Sequence, residues 1–395
     1  MRSDIDRILV EKGADALLLV SESFKDVNMY YLAKFLAPDP FIFMKKVGSP
    51  STVVVNSMEF PRAKKQSIAK DVYSYDDYDY LRIVRSAKEP KLGEMKFYSS
   101  VVKKEIGEKA VIAVPESFSS LFTDFLRNEG LTVKPFHNLV ERARETKEPD
   151  ELSEIAAVQE VAEKAASKAI DTISNSDVHS GGDLFSKKQP LTSGKLRSLI
   201  GHVFIDEEII AEDTIVAGGP KSAMPHYSGK PEDVLKANQP IIMDIFPYSV
   251  RRRYGSDMTR TVVKGKASKE IKKMFDAVFE ALNVSLDALH AGVLGSDMFD
   301  FCCDVLEKAG YQTIRGGKRI EKGFIHSLGH GVGLEVHEAP RMSEVYRFPL
   351  KEQTVVTVEP GLYDPRIGGV RIEDIVEVTK KGHNDFTKMP IQLEI

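Results

Sequence analysis

The chain has 395 residues, 42% of them hydrophobic and 29% charged, the balance of a soluble globular protein long enough for two or three domains. A net charge of −4 and a pI near 6.2 exclude the basic surface that nucleic-acid binding needs to displace counterions. No run approaches the roughly eighteen uninterrupted apolar residues of a membrane span, and the start, MRSDIDRILVEKG, has charges where a signal peptide has an apolar block, so a cytoplasmic location is expected.

In chain order, the first part alternates β-rich runs with helical stretches: ALLLV at 16–20, STVVV at 51–55 and AVIAV at 110–114. Buried strands with intervening helices predict an α/β domain. After LTVKPF, the charge-rich segment 141–150 with Pro149 near its end reads as a linker into a new helix. The expected boundary lies near residue 145, giving domains 1–145 and 146–395. From Pro149 the pattern is helical, with acids in the first turn and Ile155, Val158, Ala162, Ala165, Ala169 and Ile173 along one stripe. A second long helix is expected over 268–289, then a shorter one around 299–308. Cys302 and Cys303, the only cysteines, are adjacent there; they cannot cross-link distant segments and are expected to pack on the helix. Long helix, shorter helix and strands thus occur twice, over 150–265 and 268–380, which hints at an internal duplication of α/β halves.

Five segments of the second part carry acids or histidines where strands ordinarily present apolar groups. In IIMDIFPYSVRRRYGSDMTRTVV, Asp244 interrupts one β-run and Asp257 opens another, so the segment reads as a hairpin with both acids on one side. A lone Asp there is expected to pair structurally with Arg260, because a carboxylate inside a strand needs a cation or donors. The tip arginines, Arg251 to Arg253, read as a solvated turn. HSLGHGVGLEVHE sets His326, His330 and His337 among Gly329, Gly331 and Gly333, whose missing Cβ atoms permit close backbone approach or unusual dihedrals. Glu359 ends the run TVVTV. Glu373 lies in GGVRIEDIVEVT, where period-two alternation puts it on the face of Arg371. His226 lies in the Gly/Pro-rich loop AGGPKSAMPHYSG, where mere exposure is the ordinary expectation. Two Asp, two Glu and histidine make a hard-oxygen set with a borderline nitrogen, suited to a pair of divalent ions such as Mn, Co, Fe or Zn. Two such ions can share a water or hydroxide, lower its pKa and polarise a carbonyl.

The order MDIF, SDMTRT, GHGVGLEVHE, VEPG and RIED resembles the pita-bread metallopeptidases, in particular the prolidase and aminopeptidase P branch, from about Pro149 to the C-terminus. The resemblance implies an α+β catalytic domain with a curved antiparallel sheet and an internal pseudo-twofold, preceded by a creatinase-like α/β domain that forms a homodimer contact and narrows access to the site. It implies Asp244, Asp257, His330, Glu359 and Glu373 as metal ligands: Asp257 and Glu373 bridge two ions, most readily Mn or Co, Asp244 serves one, and His330 with Glu359 the other. It further implies catalytic roles for Glu359, His337 and His226, and substrate contacts from His226, His326, His337 and Arg371. The implied substrates are short proline-containing peptides, cleaved at Xaa-Pro by a hydroxide bridging the metals: dipeptides for a prolidase, longer peptides for an aminopeptidase P. Arg371 or a histidine is expected to hold a dipeptide's carboxylate. Methionine aminopeptidases lack such an N-terminal domain, creatinase lacks the metal set, and a non-catalytic binding member of the fold would have lost ligand residues. The Asp244 to Asp257 hairpin is about two residues longer than is usual in prolidases, and its tip is expected to face the entrance.

Overall fold

The computed structural model describes residues 4–395, in two units, Met1–Arg144 and Glu145–Ile395. In the first, β1 (Ala16–Ser21), β2 (Phe41–Lys46), β3 (Ser51–Val55), β4 (Asp71–Ser74), β5 (Val111–Pro115) and β6 (Thr132–Phe136) form a mixed sheet ordered β4-β3-β2-β1-β5-β6. The β1–β2 and β2–β3 pairs are antiparallel, while β3–β4, β1–β5 and β5–β6 are parallel, as helical crossovers require. The strands read as apolar runs because helices cover them: Leu18, Ile42, Val54 and Ile112 are buried with Phe97 and Val101 of α1 (Pro90–Glu105) and Leu126 of α2 (Ser120–Asn128).

The expected linker is structured instead. Glu141–Arg144 is a helical turn, and Arg144, Glu145 and Lys147 are buried. Each charge has a partner that makes burial tolerable: Arg144 Nη1 donates to Asn28 at 2.8 Å, Lys351 reaches Glu145 at 2.5 Å, and Lys147 reaches Glu338 at 2.7 Å.

In the second unit α3 (Pro149–Ser174) begins with proline in its first turn and a Glu151 carboxylate accepting from the Glu148 N–H at 2.8 Å. All six residues of its predicted stripe are buried. They pack with α4 (Ser193–Asp206) over the antiparallel sheet β7 (Thr214–Gly218), β8 (Ile241–Ile245) and β9 (Met258–Val262), ordered β7-β8-β9. α5 (Lys269–Ala288), capped by Ser268, and α6 (Gly295–Lys308) repeat the arrangement. Cys302 and Cys303 lie buried on α6 as free thiols. After it come β10 (Gly329–Gly331), β11 (Glu338–Met342), β12 (Val355–Val358), β13 (Gly361–Asp364), β14 (Gly368–Arg371), β15 (Asp374–Thr379) and β16 (Gly382–Asp385), of which β11, β12, β13, β14 and β15 share a core with the second helix pair. Five of these strands form the sheet β11-β10-β12-β15-β16, and β13 pairs with β14. An antiparallel bridge between Thr259 of β9 and Glu373, just before β15, joins the three-stranded and five-stranded sheets. Both sheets therefore contribute to one concave surface. No helix among the described residues is long and apolar enough to cross a membrane.

Candidate metal centre

The register of the strands aims the acids. On β8, Asp244 lies opposite Ile215 of β7 and Thr259 of β9. Asp257 stands one residue before β9, and two-residue alternation puts it on the face of Thr259 and Thr261. Arg371 ends β14 and Glu373 precedes β15, so the predicted continuous strand is broken at Ile372 and its halves enter different pairings. The alternation survives the break, with Arg371 and Glu373 turned to the cavity and Asp374 turned away. At Gly329 and Gly331 the need is close approach: an added Cβ would meet the Thr357 carbonyl oxygen at 2.0 Å and that of Ala339 at 2.3 Å. Small residues there let β10 sit tightly between β11 and β12, which carries His330 into the centre of the sheet.

Asp244, Asp257, His226, His326, His330, His337, Glu359, Arg371 and Glu373 all line one cavity of about 520 Å³. Its floor is buried: Asp244, Asp257, His330, Arg371 and Glu373 are each 9% exposed or less. Its rim is open: His226 and His337 are exposed. Asp257, His330 and Glu373 offer ligand atoms that lie within 4.8 Å of one another. His330 Nε2 is 3.3 Å from Glu359 Oε1 and 3.7 Å from Asp257 Oδ2, while its Nδ1 approaches the Gly331 carbonyl at 3.2 Å. That carbonyl accepts only from a protonated Nδ1, which leaves the Nε2 lone pair facing the carboxylates in the neutral ring.

Electrostatically the floor is overcrowded with negative charge. Burial, then Glu373, Asp244 and Glu359, push Asp257 well above its ordinary value, and burial, then Glu359 and Asp244, do the same to Glu373. Asp244 is raised by burial although Arg371 opposes this. Glu359 is the exception: burial acts upward, but the His330 hydrogen bond and the charges of His330, His326 and Arg371 bring it to about 2. Asp244 Oδ1 and Asp257 Oδ1 are buried without a hydrogen-bond partner among the described residues. Buried unpaired carboxylate oxygens are costly, and a cation is the partner their chemistry fits. Asp244, Asp257, His330, Glu359 and Glu373 together supply mainly hard oxygen ligands with one imidazole, a set that fits divalent ions.

Arg371 is a scaffold for this floor. Its Nη2 donates to Asp244 Oδ2 at 2.5 Å, Nη1 to Tyr363 at 2.8 Å and Nε to Thr259 at 3.1 Å. The Thr259 hydroxyl donates to Glu373 Oε2 at 2.7 Å, and the Tyr363 hydroxyl is 2.9 Å from His326 Nε2. The structural partner expected for Asp244, Arg260, is instead turned to the opposite face of the sheet, where it pairs with Asp374 at 2.9 Å. Arg260 directly follows Thr259, so alternation denies it the cavity. The hairpin tip also departs from expectation. Tyr248–Ser249 pairs with Ile209–Ile210, Arg251 bonds to Glu208 at 2.7 Å, Arg252 lies 3.5 Å from Glu154 and Arg253 covers the Tyr248 ring, so none of the three lines the cavity.

Residues 153–380 match the family model of metallopeptidase family M24. The chain belongs to this family. As an M24 metallopeptidase it is a metal-dependent peptide-bond hydrolase with the pita-bread fold. It is similar to the Xaa-Pro dipeptidase of Pyrococcus furiosus, 29% identical over 93% of each chain. Among solved structures it resembles an X-Pro aminopeptidase from Thermotoga maritima, with TM-score 0.78 and 25% identity over 98% of this chain and all of the other. An Xaa-Pro dipeptidase from Bacillus anthracis shares the fold across both full chains, with TM-score 0.81 and 24% identity.

Sequence patterning did not single out the charged wall residues Asp213 and Arg341, nor Thr259 and Tyr363, which support the cavity floor through Arg371. Thr259 and Arg341 carried a usable signal, since each is an even number of residues from a singled-out residue on its strand, Asp257 and His337. Tyr363 carried none, because its contacts with Arg371 and His326 come from separate segments.

Proposed function

We propose that this M24 metallopeptidase hydrolyses Xaa-Pro bonds in short peptides, foremost dipeptides, with Asp244, Asp257, His330, Glu359 and Glu373 holding two divalent ions, Mn or Co in preference. The observation that carries the reading is the buried floor of mutually repelling carboxylates, two of whose oxygens have no partner. Bound there, the ions would supply Lewis acidity and an activated water. The remaining work falls to the chain. Glu359, whose oxygens divide between His330 at 3.3 Å and His326 at 3.9 Å, is an ionised carboxylate placed to take the proton given up by the attacking water and pass it to the departing proline nitrogen. His337, partly covered although it stands on the rim, is lowered to about 4 by that partial burial and the neighbouring His330, is neutral at pH 7 and acts with His226 as a hydrogen-bond donor to the scissile carbonyl. Proline makes that amide tertiary and removes the N–H on which other peptidases rely.

A dipeptide also presents a free carboxylate. Arg371 has its donors committed to Asp244, Tyr363 and Thr259, whereas exposed Arg341 on β11 lines the rim with no side-chain hydrogen bond among the described residues, and is the better anchor. The similarity to the Pyrococcus furiosus Xaa-Pro dipeptidase supports the substrate, and the similarity to the Thermotoga maritima X-Pro aminopeptidase supports longer peptides as the second reading. The N-terminal unit we assign to a homodimer contact and to limiting peptide length, and the free buried thiols fit a cytoplasmic setting. The test is kcat/KM on an Xaa-Pro series from dipeptide to decapeptide, with metal content and light scattering on the same sample. Equal efficiency on dipeptides and decapeptides by a monomer would overturn the dipeptidase reading in favour of the aminopeptidase.

A further inference from the structure

The cavity wall carries a fifth acid that the metal site does not use. The bridge between Thr259 and Glu373 makes the strand sequence around the concave surface β7-β8-β9 and then β15-β12-β10-β11, so β7 and β11 are its two margins at the cavity. Each margin brings one charge to the wall: Asp213, directly before β7, and Arg341 on β11. Of the acids lining the cavity, Asp244, Asp257, Glu359 and Glu373 belong to the proposed metal floor, which leaves Asp213.

The Asp213 carboxylate has no cationic partner among the described residues. Its Oδ1 accepts from the Thr214 N–H at 2.8 Å and its Oδ2 from the Ser228 hydroxyl at 2.5 Å. Those bonds orient the carboxylate without neutralising it. Arg197, the basic side chain nearest in the bonding network, donates instead to the carbonyls of Ser228 and Gly229. Ile215 stands opposite Asp244 in the β7–β8 register, and one further step of alternation puts Asp213 opposite Phe246 on the same face. Ile215, Phe246 and Pro225 line the cavity beside Asp213, an apolar passage with an acid at its outer end. Asp213 is two residues from Ile215, roughly 6.8 Å along a strand. An extended lysine side chain spans roughly 6 Å from its Cα to its ammonium, five bonds of about 1.5 Å laid out as a zigzag. Phe246 adds an aromatic face suited to a passing cation.

We infer that Asp213 makes the subsite for the residue before proline selective for cationic side chains, lysine or arginine. This rests on the Xaa-Pro reading above. The substrate then lies across the cavity with its carboxylate at Arg341 on one margin and its side-chain cation at Asp213 on the other.

The test compares kcat/KM for Lys-Pro, Met-Pro and Glu-Pro on the metal-loaded enzyme, for wild type, Asp213→Asn and Asp213→Lys. Ratios between substrates within one preparation cancel differences in metal content and folded fraction. The expected wild-type preference for Lys-Pro over Met-Pro is about fivefold or more at low salt, shrinking as ionic strength rises, because the rim is open to solvent. In Asp213→Asn the ratio should fall to about one, and in Asp213→Lys Glu-Pro should overtake Lys-Pro. Cleavage of Met-Pro with no preference for Lys-Pro, or an unchanged ratio in Asp213→Asn, overturns the inference and leaves the Xaa-Pro reading standing. Failure to cleave all three dipeptides overturns the dipeptidase reading, and this inference with it.

Discussion

At Asp257, burial and three neighbouring carboxylates act in the same direction, so the ionised side chain opposes folding when no cation is present. Asp257→Asn keeps the shape and removes the charge. Its metal-free form should melt higher than the metal-free wild type at neutral pH, by calorimetry in chelator, while its metal content and activity collapse. A lower melting temperature for the metal-free variant would mean that Asp257 is held by contacts other than a cation. Arg371 makes the converse case. It spreads three donors over Asp244, Tyr363 and Thr259, and lysine supplies a single point charge. Arg371→Lys should therefore lower kcat by about tenfold to a hundredfold, with less loss of metal than Asp257→Asn, measured by kinetics and elemental analysis together. His226 shows where residue-level reading of a sequence ends. A loop histidine is ordinarily just exposed, and His226 is indeed exposed, yet it lines the cavity because its loop leads from β7 to the rim.

Among the elements, β10 is the most tightly constrained. A methyl group at Gly331 would meet the Ala339 carbonyl at 2.3 Å, which forces β10 and β11 apart and moves His330 and His337 together. Gly331→Ala should cost about 1–3 kcal/mol of stability, as overpacking does, and depress activity further than the unfolded fraction explains. Gly201, inside α4, has no atom within 4 Å of an added Cβ and no unusual backbone angle. Gly201→Ala should stabilise by about 0.5–1 kcal/mol from helix propensity; denaturant melts of the two variants should thus move in opposite directions. The last hairpin adds a pH effect. Burial, then the charge of Asp374, raise Asp385 at the end of β16 from 3.8 to about 6. The folded protein therefore holds this proton more tightly than the unfolded chain, and the associated stability is lost as pH rises from about 4 through about 6. Asp385→Asn should raise the melting temperature at pH 7.5 and leave it unchanged near pH 4. The same hairpin region was partly legible in advance, since VEVT alternates, but the break at Ile372 was not, because it reflects two sheets competing for one chain segment.

For the whole molecule, the raised carboxylates link metal binding to protons. Metal displaces the protons that Asp257 and Glu373 retain above their ordinary values of 3.8 and 4.5, so affinity should increase with pH and binding should release protons. Titration calorimetry at pH 6 in buffers of different ionisation enthalpy measures that release; affinity flat from pH 5.5 to 8 would contradict the linkage. The α/β first unit, the repeated pairing of a long with a shorter helix, and the concentration of acids and histidines at strand positions were all readable from periodicity and residue type, because alternation of two and stripes near 3.6 are local properties of the backbone. The sequence also marked Asp244, Asp257, Glu359 and Glu373 as anomalies, since charge inside a buried strand needs a reason. Which cation answers each acid was decided only in three dimensions. Arg260 is the nearer in sequence to Asp244, yet the pleat turns it to Asp374, while Arg371, more than a hundred residues away, reaches Asp244 through the junction of two sheets. The buried linker charges follow the same rule: a charged side chain goes where its partner is, and partners distant in sequence, such as Lys147 and Glu338, meet only when the sheets have closed around them.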